Sequence, residues 1–105
     1  MAREMSRETS WGIAVVRGRS MLPTLRDGDR LVVQYGARPS AGRLAVVRLP
    51  DGTVAVKRLE REEPDGWWVS RDNAAEGVDS WTLGRAVSEV LAVVRWRLWP
   101  RPGRV

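Results

Sequence analysis

Residues 44–60 read LAVVRLPDGTVAVKRLE, and the fold class follows from how this stretch divides. Residues 44–49 form a short apolar run rich in valine, which reads as a strand. Pro50-Asp51-Gly52 is a turn signal, because proline presets one backbone angle and glycine accepts the positive φ of a tight turn. Residues 53–60 then pair back to complete a hairpin. Side chains alternate along that second strand, so Lys57 lies with Ala55 and Leu59. Val54, Val56 and Arg58 lie on the opposite face.

The same signals recur on both sides of the hairpin. Residues 12–17 read as a strand, followed by a break at Gly18 and Pro23. Asp27-Gly28 is a turn and residues 31–35 a strand, with a loop over residues 36–42. Pro64-Asp65-Gly66 turns the chain into a strand at residues 67–70, and residues 71–84 read as irregular and polar. Residues 90–98 could carry a helical stripe, but their β-branched content favours a strand. Pro100 and Pro102 are expected to end ordered structure. Short apolar runs between turns, at a spacing of roughly 8–12 residues, describe a mainly β domain of short antiparallel strands and hairpins. The 105 residues suit one compact domain, with a core expected over about residues 11–100.

Composition removes several classes of chemistry. The chain has no cysteine and no histidine, which excludes disulfide frameworks, cysteine nucleophiles, Ser-His-Asp triads and nearly all zinc catalysis. An enzyme built from this set must use a carboxylate, a tyrosine or an amine as its base. No apolar run approaches the about 20 residues of a membrane-spanning helix. Residues 1–10 are polar and lack the apolar segment of a secretory signal, so a cytoplasmic protein without a transmembrane anchor is expected. The net charge of +5 would suit nucleic acid, an acidic substrate or an anionic membrane surface. Of the 18 basic residues, one, Lys57, is lysine.

That lysine has a physical reason to differ from arginine. On a partly apolar face, burial disfavours its charged form and can bring an amine into the range of a general base. Arginine stays protonated throughout. Ser20 stands between a strand and Pro23, after Gly18, where no regular structure hides its hydroxyl. Taken singly, such a lysine is usually solvated and such a serine is usually a turn residue. Asp27 and Asp29 suit turn geometry and strand entry, without a catalytic role. Trp67 and Trp68 alternate, one toward the core and one toward a substrate groove. In the tail Arg95-Trp96-Arg97-Leu98-Trp99, alternation places Trp96 and Leu98 in the core and the arginines in water. That arrangement is preferred to a single-strand nucleic-acid surface, so no nucleic-acid partner is expected. Contact of Trp99 with a membrane surface is left open.

Gly18-Arg19-Ser20-Met21-Leu22-Pro23-Thr24-Leu25, followed by Gly28-Asp29, resembles the nucleophile box of the type I signal peptidases. That family has a Ser-Met-x-Pro-Thr-Leu pattern followed by Gly-Asp. Val56-Lys57-Arg58 resembles its lysine box. Asp72-Asn73, Asp79-Ser80 and Gly84 resemble a third box, in which Gly-Asp-Asn is followed by Asp-Ser-Arg and a glycine. The boxes stand in family order over residues 18–84. The resemblance implies a signal peptidase/LexA-like catalytic β domain, without the family's membrane helices and large inserted β domain. The LexA-like group shares the Ser-Lys dyad and cleaves itself. Pro23-Thr24-Leu25 and Asp72-Asn73 fit the signal peptidase pattern better, and no DNA-binding helix pair precedes Ser20.

The resemblance also implies roles. Ser20 would be the nucleophile and Lys57 the general base of a serine endopeptidase, with the Ser20 N–H in the oxyanion hole. Asp79 and Ser80 would order the lysine loop, and Met21 and Pro23 would contact substrate. Gly18 stands where some relatives carry a second oxyanion donor, Gly77 where the family often has a serine, and Trp81 where it has arginine. No metal or cofactor is implied. Asp65-Gly66-Trp67-Trp68, Asp72-Asn73 and Arg97-Leu98-Trp99-Pro100 are also similar to the nickel superoxide dismutase maturation proteases. The partner implied is a protein precursor with an amino-terminal leader, nickel superoxide dismutase, with no nickel bound by this chain itself.

Overall fold

The structure, a computed structural model, describes residues 9–105. Six strands form one antiparallel sheet: β1 (Ser10–Val15), β2 (Arg30–Tyr35), β3 (Leu44–Arg48), β4 (Val54–Glu63), β5 (Gly66–Ser70) and β6 (Glu89–Trp99). Their spatial order is β1-β2-β6-β3-β4-β5. A mainly β domain of hairpins is therefore what the chain forms. The β3–β4 hairpin pairs Val46 with Val56 and Ala45 with Lys57. Among the described residues, no helix is long and apolar enough to cross a membrane.

The interior position of β3 explains its continuous apolar run. It is paired on both edges and buried on both faces. Leu44 and Val46 face one cluster with Val16, Met21, Leu25, Leu31, Val33, Ala92 and Val94. Ala45 and Val47 face a second, with Leu49, Leu59, Val69 and Val87. The segment between β1 and β2 covers the first face through Met21 and Leu25. The segment between β5 and β6 covers part of the second through Leu83 and Val87. Truncating a fully buried side chain such as Leu59 or Leu25 to alanine costs about 2–5 kcal/mol.

Three expectations need correction. Residues 71–84 are not wholly irregular: Ser80–Leu83 form one helical turn, α1. Asp79 caps it by accepting the Thr82 N–H at 3.0 Å, and the Thr82 hydroxyl accepts the Asp79 N–H at 2.9 Å. Gly84 ends it with a φ of 75°, a left-handed conformation that glycine adopts without strain. A four-residue helix is too short to show a 3.6-residue period, so the hydrophobic pattern does not reveal it.

Order does not stop at Pro100 either. The chain folds back so that Arg97 N–H donates to Gly103 at 2.8 Å and Gly103 N–H returns the bond at 3.0 Å. Trp96 and Leu98 are not core residues; each is 47% exposed. Trp96 pairs with Val32, and Val32 with Ile13, on the half of the second face that the β5–β6 segment does not cover. Trp96 stacks on Trp11 instead, with ring centroids 5.9 Å apart. Alternation assigned these side chains to a face, but a face is core only where something covers it.

Candidate active site

Ser20 is held at the tip of the segment joining β1 to β2. The neck of that segment is closed by Val16 N–H on Asp29 and Gly28 N–H on Val16, both at 2.8 Å. Gly18 has a φ of 85°, and its N–H donates to Asp27 Oδ1 at 2.7 Å. Asp29 accepts the Arg26 N–H at 2.9 Å, so both aspartates serve turn geometry as expected. Met21 and Leu25 anchor the turn in the first cluster and leave Ser20 half-buried beside them.

Lys57 reaches this serine from β4. The amine nitrogen lies 3.1 Å from Ser20 Oγ, and the lysine is 2% exposed. The strand's alternation puts it on the buried face with Leu59, as the sequence indicates. Burial pushes the amine below its ordinary value; Asp79 opposes that shift and the Arg71 cation adds to it. A buried amine that sheds its proton readily, at hydrogen-bond distance from a hydroxyl, can act as a base toward it.

The neighbouring residue ties the two segments together. Arg58 faces away from Lys57 and forks onto Asp72, with Nε 3.0 Å from Oδ1 and Nη2 2.7 Å from Oδ2. Thr24, in the serine segment, donates its hydroxyl to the same carboxylate. Asp72 is held below the usual carboxylate range, first by the Arg58 hydrogen bonds and further by Thr24. Asn73 completes the clamp: its N–H donates to the Ser20 carbonyl at 2.8 Å and its side-chain amide to the Arg19 carbonyl at 2.9 Å. Thus the Asp72-Asn73 pair fixes the serine turn against the lysine strand.

The remaining site candidates separate. Gly77 lies against the dyad: a Cβ placed on it would sit 2.5 Å from Ser20 Cβ and 3.6 Å from Lys57 Nζ. Asp79 is buried and pairs with Arg71 at 3.2 Å while capping α1. Ser80 is fully buried, and its hydroxyl accepts the Val69 N–H at 2.8 Å; it ties α1 to β5. Met21 lines a groove of about 240 Å³ beside Ser20, between residues 14–17 and 53–56. Pro23 is exposed and does not line that groove.

Trp68 does not line it either. It packs edge-on to Trp81, with centroids 5.5 Å apart, under the Arg61 guanidinium, while Trp67 packs on the second cluster. Arg71 is the site residue that sequence reasoning missed. Nothing local separates it from the other arginines, and its contacts depend on the path of the loop it begins. Trp81 occupies the position expected for arginine but is 57% exposed.

A search of the curated proteins finds no match. Against protein families, residues 1–90 match the one described as Peptidase S24-like. This is the LexA-like side of the comparison drawn above, and it agrees with the mainly β sheet and with a serine peptidase. The match covers well over half of the 105 residues, and the chain belongs to the Peptidase S24-like family of serine peptidases.

Proposed function

We propose that the chain is an endopeptidase working through a Ser20–Lys57 dyad, and that it removes an amino-terminal leader from a protein precursor. The observation that carries this reading is the 3.1 Å approach of a buried, easily deprotonated amine to the Ser20 hydroxyl. Lys57 takes the hydroxyl proton as Ser20 Oγ attacks the scissile carbonyl. The ammonium then protonates the departing amine, leaving an acyl ester on Ser20. A water, deprotonated by the same amine, hydrolyses the ester and restores the hydroxyl. The Ser20 N–H stabilises the oxyanion.

The groove beside Ser20 suits an extended peptide. Its walls are the end of the edge strand β1 and the start of β4, and Ala14, Val15, Val54, Ala55 and Val56 line it. A polypeptide added beside these strands would hydrogen-bond through its backbone and place small apolar side chains between the valines. The three sequence boxes support the peptidase, and the narrower resemblance at Asp65-Gly66-Trp67-Trp68, Asp72-Asn73 and Arg97-Leu98-Trp99-Pro100 supports nickel superoxide dismutase as the precursor.

A second reading is self-cleavage, favoured by the family match. Incubating the chain with leader-bearing nickel superoxide dismutase and following the intact masses of both proteins separates the two. Leader loss from the dismutase supports processing in trans, whereas loss of mass from the chain alone supports self-cleavage. Two unchanged masses remove the dismutase as substrate.

A further inference from the structure

The loop from Arg71 to Asp79 closes behind the dyad, and it departs from the resemblance at two places that the structure connects. Gly77 has a φ of 90°, and an added Cβ would sit 2.5 Å from Ser20 Cβ. A serine at residue 77 therefore has no room beside the amine. Trp81 faces solvent against Trp68, leaving Asp79 without the arginine expected two residues after it. One side chain serves both places. Arg71 Nη1 donates to the Gly77 carbonyl at 2.6 Å, and its Nε lies 3.2 Å from Asp79 Oδ2. The pair is mostly buried, with side-chain exposures of 17% and 11%, so its charges are weakly screened.

We propose that Arg71 is a positioning residue for the dyad: it pins the Gly77 turn against Ser20 and Lys57 and neutralises the Asp79 carboxylate in the same loop. The proposal deepens the reading of Lys57 as the base and rests on it. The charges around Lys57 single out this pair. On β4, Arg58 turns to the opposite face and is matched by Asp72, and Glu60 accepts from Ser70 at the surface. In the serine segment, Arg19 pairs outward with Glu76. On β3, the residue paired with Lys57 is the uncharged Ala45. Among the described residues, Asp79 favours the charged amine and Arg71 opposes it, and Arg71 also holds the Gly77 turn beside Nζ.

Lys57 is the single lysine of the chain, so protein labelled with ¹³C at the lysine ε-carbon gives one side-chain signal that titrates with Lys57. The readout needs no substrate, which separates failure of this proposal from failure of the peptidase reading. Arg71→Met should move the titration midpoint to higher pH, because Asp79 is then unopposed. Asp79→Asn should move it to lower pH while keeping the helix cap, since asparagine also accepts the N3 N–H. A purely structural role gives a different pattern: a loosened loop admits water and raises the midpoint in both variants. A midpoint unchanged or raised in Asp79→Asn, or unchanged or lowered in Arg71→Met, would overturn the proposal. If Arg71→Met does not fold, Arg71→Gln takes its place, with the same predicted rise and the same overturning result.

Discussion

Arg58 and Asp72 meet as a two-pronged ion pair, 3.0 and 2.7 Å at its two contacts, and through it the lysine strand is fastened to the loop that holds Ser20. Arg58 follows Lys57 directly in sequence yet faces the other side of β4. Of these two neighbours, Lys57 carries the proposed base and Arg58 fixes where it stands. The fork makes arginine the fitting residue, because a lysine offers a single point charge.

Replacing Asp72 with asparagine should therefore destabilise the fold by about 1.5–3 kcal/mol, the range for hydrogen bonds to charged groups. The effect should also depend on pH. The folded Asp72 value lies below the ordinary carboxylate value of 3.8, so its contribution is complete above that value and is lost as pH falls through the folded one. Urea denaturation from pH 7 to pH 2 should show wild type and Asp72→Asn converging at the acid end. Curves that stay parallel would contradict the ion-pair account.

Lys57 should stand on the opposite side of the balance between activity and stability. Burial lowers its folded value below the 10.5 of a free lysine, so the unfolded chain binds the extra proton and native stability rises with pH across that interval. Lys57→Met removes the cost of burying the amine. The variant should be inactive yet more stable than wild type at neutral pH, with an advantage that shrinks as pH approaches 10.5. Denaturant midpoints at pH 6, 8 and 10 read the trend. A less stable variant at pH 6 would contradict it.

Gly77→Ala combines two penalties, a positive φ and a Cβ that meets Ser20 at 2.5 Å. We expect a loss of about 1–3 kcal/mol, and, because Ser20 must move, a fall in kcat/KM on the order of 10²-fold. The same exchange at Gly52, which also has a positive φ but open space around it, should cost stability without the activity loss.

Trp11 and Trp96 should show the modest coupling of an exposed aromatic pair. A double-mutant cycle to alanine should give an interaction of about 0.5–1.5 kcal/mol. Trp96→Ala alone should fall below the about 3–5 kcal/mol expected of a buried tryptophan.

The sequence carried the hairpin around Pro50-Asp51-Gly52 because local turn chemistry and strand alternation are short-range rules. The same rules put Lys57 on the Leu59 face and gave Asp27 and Asp29 their turn roles. What they could not supply was the third dimension of the sheet. Parity set Trp96 on a face, but only the path of the β5–β6 segment determines that this half stays uncovered. The resemblance gives Ser80 a part in ordering the lysine loop, but only the path of α1, too short to show its period, reveals that its hydroxyl binds the β5 backbone. Arg71 had no local mark at all, since its partners at residues 77 and 79 come into reach only when the loop closes.

The central claim, a Ser20 nucleophile served by a Lys57 base, is tested most directly on whichever polypeptide the wild-type chain cuts. Product would be read by mass spectrometry for wild type, Ser20→Ala and Lys57→Arg, after each variant is shown to be folded. Arginine keeps the charge but cannot surrender the proton. The account predicts cleavage by wild type and none above background for either variant. Cleavage that persists with Ser20→Ala would contradict it.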